Sequence, residues 1–159
     1  MNKSALVPPA ATVHVVDDIA ANRKLLRETL EPQGYEVLVA PDGETGLKVA
    51  EQARPDLILL DVMMPGWNGF ETCRRLKQSE TTRPIPVVFI TAMGETKSMV
   101  EGFQAGGVDY ITKPFQAEEV LIRVKTHLEA ARLTKVILVK NKELEAINAK
   151  LLRETTRRE

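Results

Sequence analysis

Short runs rich in β-branched and other apolar residues recur five times along this chain: TVHVV (12–16), YEVLVA (35–40), DLILL (56–60), PVVFI (86–90) and VDYI (108–111). Each gap between them is long enough for a helix, and the gaps carry apolar residues three or four apart, most clearly Leu26 with Leu30, Leu47 with Ala50, and Met99 with Phe103. Strict alternation of strand and helix leaves few ways to fold. Parallel strands need long crossover connections and helices supply them, so the pattern predicts a parallel sheet covered by helices on both faces. DLILL and PVVFI, apolar along most of their length, suit its buried centre. Breakers fall where the scheme needs them: Pro32-Gln33-Gly34 after the first helix, Pro55 before the third strand, Pro84 and Pro86 before the fourth, and Gly106-Gly107 before the fifth.

The pattern changes after Pro114. From Gln116 to about Thr155 there is neither proline nor glycine, which predicts one helix of about 40 residues, about 60 Å at 1.5 Å per residue. Val120, Leu121, Val124 and Leu128 form a face suited to the sheet. From Ala130 the series Ala130, Leu133, Ile137, Lys140, Leu144, Ile147, Leu151, Glu154 steps by three and four, as the a and d positions of a coiled coil do. Two readings stay open for this segment. One is a dimerisation helix, favoured by the apolar cluster Val136–Val139; the other is a solvated tail, favoured by Lys140 and Glu154 in the seam. The chain therefore divides into a leader (1–11), an α/β domain (12–128) and a helical extension (129–159).

Composition removes several function classes. No apolar run approaches the roughly 18–20 residues that span a bilayer, and Pro8 and Pro9 interrupt the leader, so no membrane span or signal peptide is expected and a cytoplasmic location is. The single cysteine, Cys73, has no partner for a disulfide or a thiolate metal pair. Residues 1–125 hold 14 Lys+Arg against 17 Asp+Glu, and residues 126–159 hold 8 against 5. Those margins are too small for a nucleic-acid partner, which calls for a concentrated basic patch.

In an open α/β sheet, ligands bind beyond the carboxyl ends of the strands. Those ends carry Asp17-Asp18 after the first strand, Asp61 at the end of the third, Thr91 after the fourth and Lys113-Pro114 after the fifth. Three converging carboxylates repel unless a cation neutralises them or their pKa values rise. An all-oxygen set without His or Cys suits Mg²⁺ and disfavours zinc. A carboxylate nucleophile, a hard cation, an ammonium and a hydroxyl are together the parts of phosphoryl transfer.

With its motifs VVDD, DVMMPGWNG, FITA and ITKPF in this order, the stretch from Thr12 to Leu128 resembles the receiver domain of bacterial two-component response regulators. Pro65 and Gly69 follow the acid by four and eight residues, as in that family's phosphorylation loop. The resemblance implies a flavodoxin-like (βα)5 sheet of order 2-1-3-4-5 and a phosphoryl group accepted on Asp61 from a histidine kinase or phosphotransfer protein. It implies Mg²⁺ held by Asp17, Asp18, Asp61 and the Met63 main-chain carbonyl, with Thr91 and Lys113 binding the phosphoryl group. Tyr110 would change rotamer with Thr91, and Lys113–Pro114 would be a cis peptide. Trp67 and Asn68, where a smaller or acidic residue is frequent, would mark the partner-facing surface.

Such a domain catalyses at most its own phosphorylation and dephosphorylation. With Ala92 small and Met63 and Met93 unable to position water, a fairly long-lived phosphoryl state is expected. Output would pass through the fourth helix, fifth strand and fifth helix to the extension and its homodimer. No effector domain follows, so the chain is either a whole receiver with a dimerisation helix or the input piece of a longer protein. A flavin-binding module of the same fold would need a Ser/Thr/Gly-rich phosphate loop after the first strand. A dehalogenase-like phosphatase would need a second acid where Met63 stands, and an inert scaffold would not need the full acid, Thr and Lys set. His14 and His127 have no partner nearby in sequence and are expected to be structural.

Overall fold

The computed structural model describes residues 11–92 and 96–158; residues 1–10 of the leader, and Met93, lie outside them. Five strands, β1 (Thr12–Val16), β2 (Glu36–Ala40), β3 (Leu57–Asp61), β4 (Val87–Ala92) and β5 (Asp109–Lys113), alternate with α1 (Ala20–Leu30), α2 (Gly43–Ala53), α3 (Gly69–Gln78), α4 (Thr96–Ala105) and α5 (Ala117–Arg158). All neighbouring strands are parallel, in the order β2-β1-β3-β4-β5. This is the flavodoxin-like arrangement, with β3 buried at every residue. Thr91 proves to be the second-to-last residue of β4 and Lys113 the last of β5, rather than residues beyond those strands.

Successive side chains of a strand point to opposite faces, and the sheet accordingly feeds two cores. On one face Val16, Ile58, Leu60, Val87 and Phe89 pack with Phe70, Leu76 and Tyr110. On the other, Val13, Leu57, Leu59, Val88 and Ile90 pack with Leu26 and Leu30 of α1 and Val120 and Val124 of α5. Each fully buried leucine or isoleucine contributes about 2–3 kcal/mol by leaving water. That burial holds the strand ends rigid.

Local signals set the helix boundaries. Asp42 caps α2 by accepting the Thr45 N–H at 2.7 Å, and Asn68 caps α3 by accepting the Glu71 N–H at 2.9 Å. After α1 a single 3₁₀ turn, Glu31–Gln33, ends on Gly34 at φ 95°, where glycine is favoured. Gly69 is required by space instead: a Cβ there would collide with the main-chain oxygen of Asp61, while its own N–H reaches the Val62 carbonyl at 2.9 Å. The loop after β3 is thus folded tightly back on the strand that carries Asp61.

The contacts among described residues divide the chain into two compact units, one ending at Leu128 and one beginning at Glu129. In the second unit the residues Leu133, Ile137, Leu144, Ile147 and Leu151 are each 51–59% exposed. No helix among the described residues is long and apolar enough to cross a membrane.

Candidate functional site

β1, β3 and β5 end on the same edge of the sheet, and residues at or just beyond those ends meet. Asp17, Asp18 and Asp61 each offer a carboxylate oxygen, and these oxygens lie within 4.8 Å of one another. Asp61 is 2% exposed and Asp17 1%, whereas Asp18 is open to solvent. From the end of β5 the Lys113 ammonium donates to Asp61 Oδ1 at 3.0 Å and stands 3.9 Å from Asp17 Oδ2. Thr91, buried on β4, lies one residue past Ile90, the cross-strand partner of Asp61. The Lys113–Pro114 peptide is cis.

The remaining nominated residues are arranged around this pocket. Met63 turns its side chain outward, 72% exposed, so its side chain is not part of the carboxylate cluster. Tyr110 is buried and its hydroxyl donates to the Met99 carbonyl at 2.6 Å, over Gly102, where any Cβ would strike the ring oxygen. Trp67 carries the Arg75 guanidinium 4.1 Å from its ring centroid, and Arg75 in turn pairs with Glu71 at 2.9 Å. Asn68 is occupied as the α3 cap.

The whole pattern has known counterparts. The response regulator receiver domain matches residues 13–125. Response regulator PleD of Caulobacter vibrioides is 47% identical over 117 residues, 74% of this chain and 26% of that protein. The DNA-binding dual master transcriptional regulator RpaA of Synechocystis is 45% identical over 114 residues, 72% of this chain and 47% of that protein. A crystal structure of a putative response regulator from Chloroflexus aurantiacus superposes with a TM-score of 0.73 at 36% identity, covering 76% of this chain and 98% of that one. This chain belongs to the response regulator receiver family.

The receiver spans between about a quarter and a half of the length of these two curated relatives. Receiver domains accept phosphoryl groups and bind Mg²⁺ in an acidic pocket, and the donor set here fits that ion. Asp61 Oδ2 is fully buried with no hydrogen-bond partner among the described residues, an orphaned anionic oxygen that costs free energy unless a cation meets it. Burial pushes the Asp61 pKa up to about 6, with repulsion from Asp17 and Asp18 adding to it, against the hydrogen bond and charge of Lys113. One ammonium does not neutralise three carboxylates. A hard divalent ion with oxygen ligands would.

Some contacts were not visible in sequence. Asn22 and Arg23, in the first turn of α1, donate to Asp17 Oδ2 at 3.2 Å and to the Asp17 carbonyl at 2.7 Å. Their position, one helical turn behind the acid pair, was the available signal. The two histidines have structural partners: His14, buried in β1, bonds the Gly46 carbonyl at 3.1 Å, and burial lowers its pKa so that the ring stays neutral. His127 bonds Asp109 at 2.8 Å. Met99 and Phe103 mark a helix as their spacing predicts, but their face of α4 is outward, 40% and 51% exposed.

Proposed function

We propose that Asp61 is the phosphoryl acceptor of this receiver and that the donor is a phosphohistidine on a histidine kinase or phosphotransfer protein. A carboxylate oxygen of Asp61 bonds to phosphorus as the phosphorus–nitrogen bond breaks, and the leaving electron pair stays on the donor's imidazole. Asp17, Asp18, Asp61 and the Met63 carbonyl would hold Mg²⁺, which when bound offsets the charge gathering on the phosphoryl oxygens. Lys113 supplies an ammonium from β5, two strands from β3, and Thr91 on the intervening β4 a hydroxyl. The observation that carries this reading is the buried, unpartnered Oδ2 of Asp61 beside two further carboxylates and one lysine.

The product adds about 1.5–2 negative charges at Asp61. Thr91 and Lys113 follow that charge, and Tyr110, now tied to the Met99 carbonyl, changes its packing with them. The affected surface is that of α4, β5 and α5, where Met99, Val100 and Phe103 are exposed. Residues 12–128 act as the receiver and 129–159 as an extension whose a and d residues pair with a second copy. The four e positions of that register, Thr134, Asn141, Asn148 and Thr155, are uncharged, so a parallel homodimer brings no like charges together between g and e positions. In a longer protein the same helix would lead to an effector, in the cytoplasm.

Acetyl phosphate with Mg²⁺ is expected to label the parent chain and to leave Asp61→Asn unlabelled; labelling of that variant places the acceptor elsewhere. Molar mass in solution tests the extension. Doubling, in the absence or presence of beryllofluoride and Mg²⁺, is expected for the parent and not for Leu144→Glu; a monomeric parent under both conditions refutes the homodimer.

A further inference from the structure

Among the described residues, Asp17 is the one of the three carboxylates held by both oxygens. Its Oδ1 accepts the Ile19 N–H at 2.9 Å, and its Oδ2 accepts the Asn22 side-chain amide at 3.2 Å. Arg23 sits beside Asn22 but sends its guanidinium to the Asp17 main-chain oxygen, at 2.7 Å, and not to the carboxylate. The arrangement separates two jobs. The Lys113 ammonium stays 3.9 Å from Oδ2, beyond hydrogen-bond reach, so the side-chain donor on this carboxylate is a neutral amide, which orients the group without bringing a charge to compete with a metal ion for the same lone pairs.

A carboxyl group turns easily about its Cβ–Cγ bond, because terminal torsions onto a planar group are broad. The Ile19 bond alone fixes one oxygen and leaves the plane free to pivot about it. The second bond, from Asn22, fixes the plane. Mg²⁺ demands near-ideal octahedral geometry at about 2.0–2.1 Å, while Ca²⁺ accepts flexible arrangements at about 2.3–2.6 Å. A locked carboxylate therefore favours the smaller ion. Partners of a metal-binding group that do not themselves touch the metal change affinity by about 10–100-fold when removed.

We propose that Asn22 is a positioning residue for the cation: its amide sets the plane of the Asp17 carboxylate and so favours Mg²⁺ over Ca²⁺ in the pocket. This rests on the receiver reading above. A competing account gives the bond only a role in starting α1, since the N-cap residue Ile19 has no side chain able to cap. The two accounts predict different things. A helix-starting role lowers the melting temperature of the metal-free protein and affects both ions alike; a positioning role splits the ions.

Calorimetric titration of the full chain with Mg²⁺ and, separately, with Ca²⁺ decides between them, alongside thermal melts in EDTA. Asn22→Leu keeps the volume and loses the donor. It is expected to weaken Mg²⁺ binding about 10-fold or more and to weaken Ca²⁺ binding several-fold less. Asn22→Gln, which keeps an amide on a longer stem, is expected to recover part of the Mg²⁺ affinity, and Asn22→Ala serves where the leucine variant does not fold. An unchanged Mg²⁺-to-Ca²⁺ affinity ratio in the donor-less variant overturns the proposal, whether or not the melt moves. A parent chain that binds no Mg²⁺ overturns the receiver reading of the pocket as well; a parent that binds it beside an indistinguishable variant overturns only the role of Asn22.

Discussion

Two aspartates lie at opposite ends of the segment that joins the site to the last helix, and their surroundings push them in opposite directions. Asp61, against the carboxyl end of β5, has one ammonium and two other carboxylates for company, and its pKa is raised to about 6. Asp109, the first residue of β5, is also partly buried, which by itself would raise it. Hydrogen bonds from His127, the Tyr110 N–H and Arg123 overcome that and hold it below the usual carboxylate range. One acid is short of positive partners and the other is fully supplied. In the function proposed above, the first receives a cation and then a phosphoryl group; the second joins β5 to α5.

The sharpest way to break this comparison is to remove each charge in turn. Asp61→Asn is expected to abolish acetyl phosphate labelling and, in EDTA, to raise the melting temperature, because an uncompensated buried charge disappears. A rise of about 1 kcal/mol would appear as about 4 °C in a domain of this size. Asp109→Asn should do the reverse, leaving Arg123 and His127 one neutral acceptor oxygen in place of a charged pair. Since Arg123 is 39% exposed, solvent screens that loss, and a destabilisation of about 1–2 kcal/mol is expected in denaturant titration. If both variants moved stability the same way, the contrast between a deficient and a satisfied acid would be wrong.

A smaller effect separates the two by pH. The folded-state pKa of Asp61 lies above its ordinary value of 3.8, so the native protein binds its proton more tightly than the unfolded chain does. Its contribution is neutral below about pH 4 and becomes a full penalty above about pH 6. The metal-free parent should therefore lose stability relative to Asp61→Asn as pH rises through that window, and the difference should be flat above it. Asp109 has the opposite sign: its stabilisation is present above the ordinary carboxylate pKa and is lost as pH falls through its lowered value. Comparing melts of the parent and the Asp61→Asn variant from pH 4 to 7 isolates the first contribution from the second.

How much of this was legible beforehand depended on the kind of interaction. The strands, their parallel pairing and the meeting of Asp17, Asp18, Asp61 and Lys113 followed from apolar periodicity and from the rule that strand ends gather the chemistry. Periodicity says where a helix has an apolar stripe but not what covers it, which is why Met99 and Phe103 read like Leu26 and Leu30 although the first pair is outward. Partners that depend on side-chain direction were invisible. Asn22 is an ordinary helix residue until Asp17 is placed beside it. Asp109, Arg123 and His127 are separated by 14 and 18 residues, and only the packing of α5 against β5 brings them together.

The finest distinction concerns which of Asp109's two side-chain partners matters to β5. His127 makes one hydrogen bond, at 2.8 Å, while Arg123 makes two through the same nitrogen, at 2.7 and 2.9 Å. A single bond to a carboxylate is worth about 1–2 kcal/mol when the donor is charged and less when it is neutral. His127→Gln, which gives up one bond against Arg123's two, should therefore cost about 1 kcal/mol. Denaturant titration of parent and variant measures this directly. A cost as large as that of Asp109→Asn would mean that His127, and not Arg123, is the partner that holds β5 to α5.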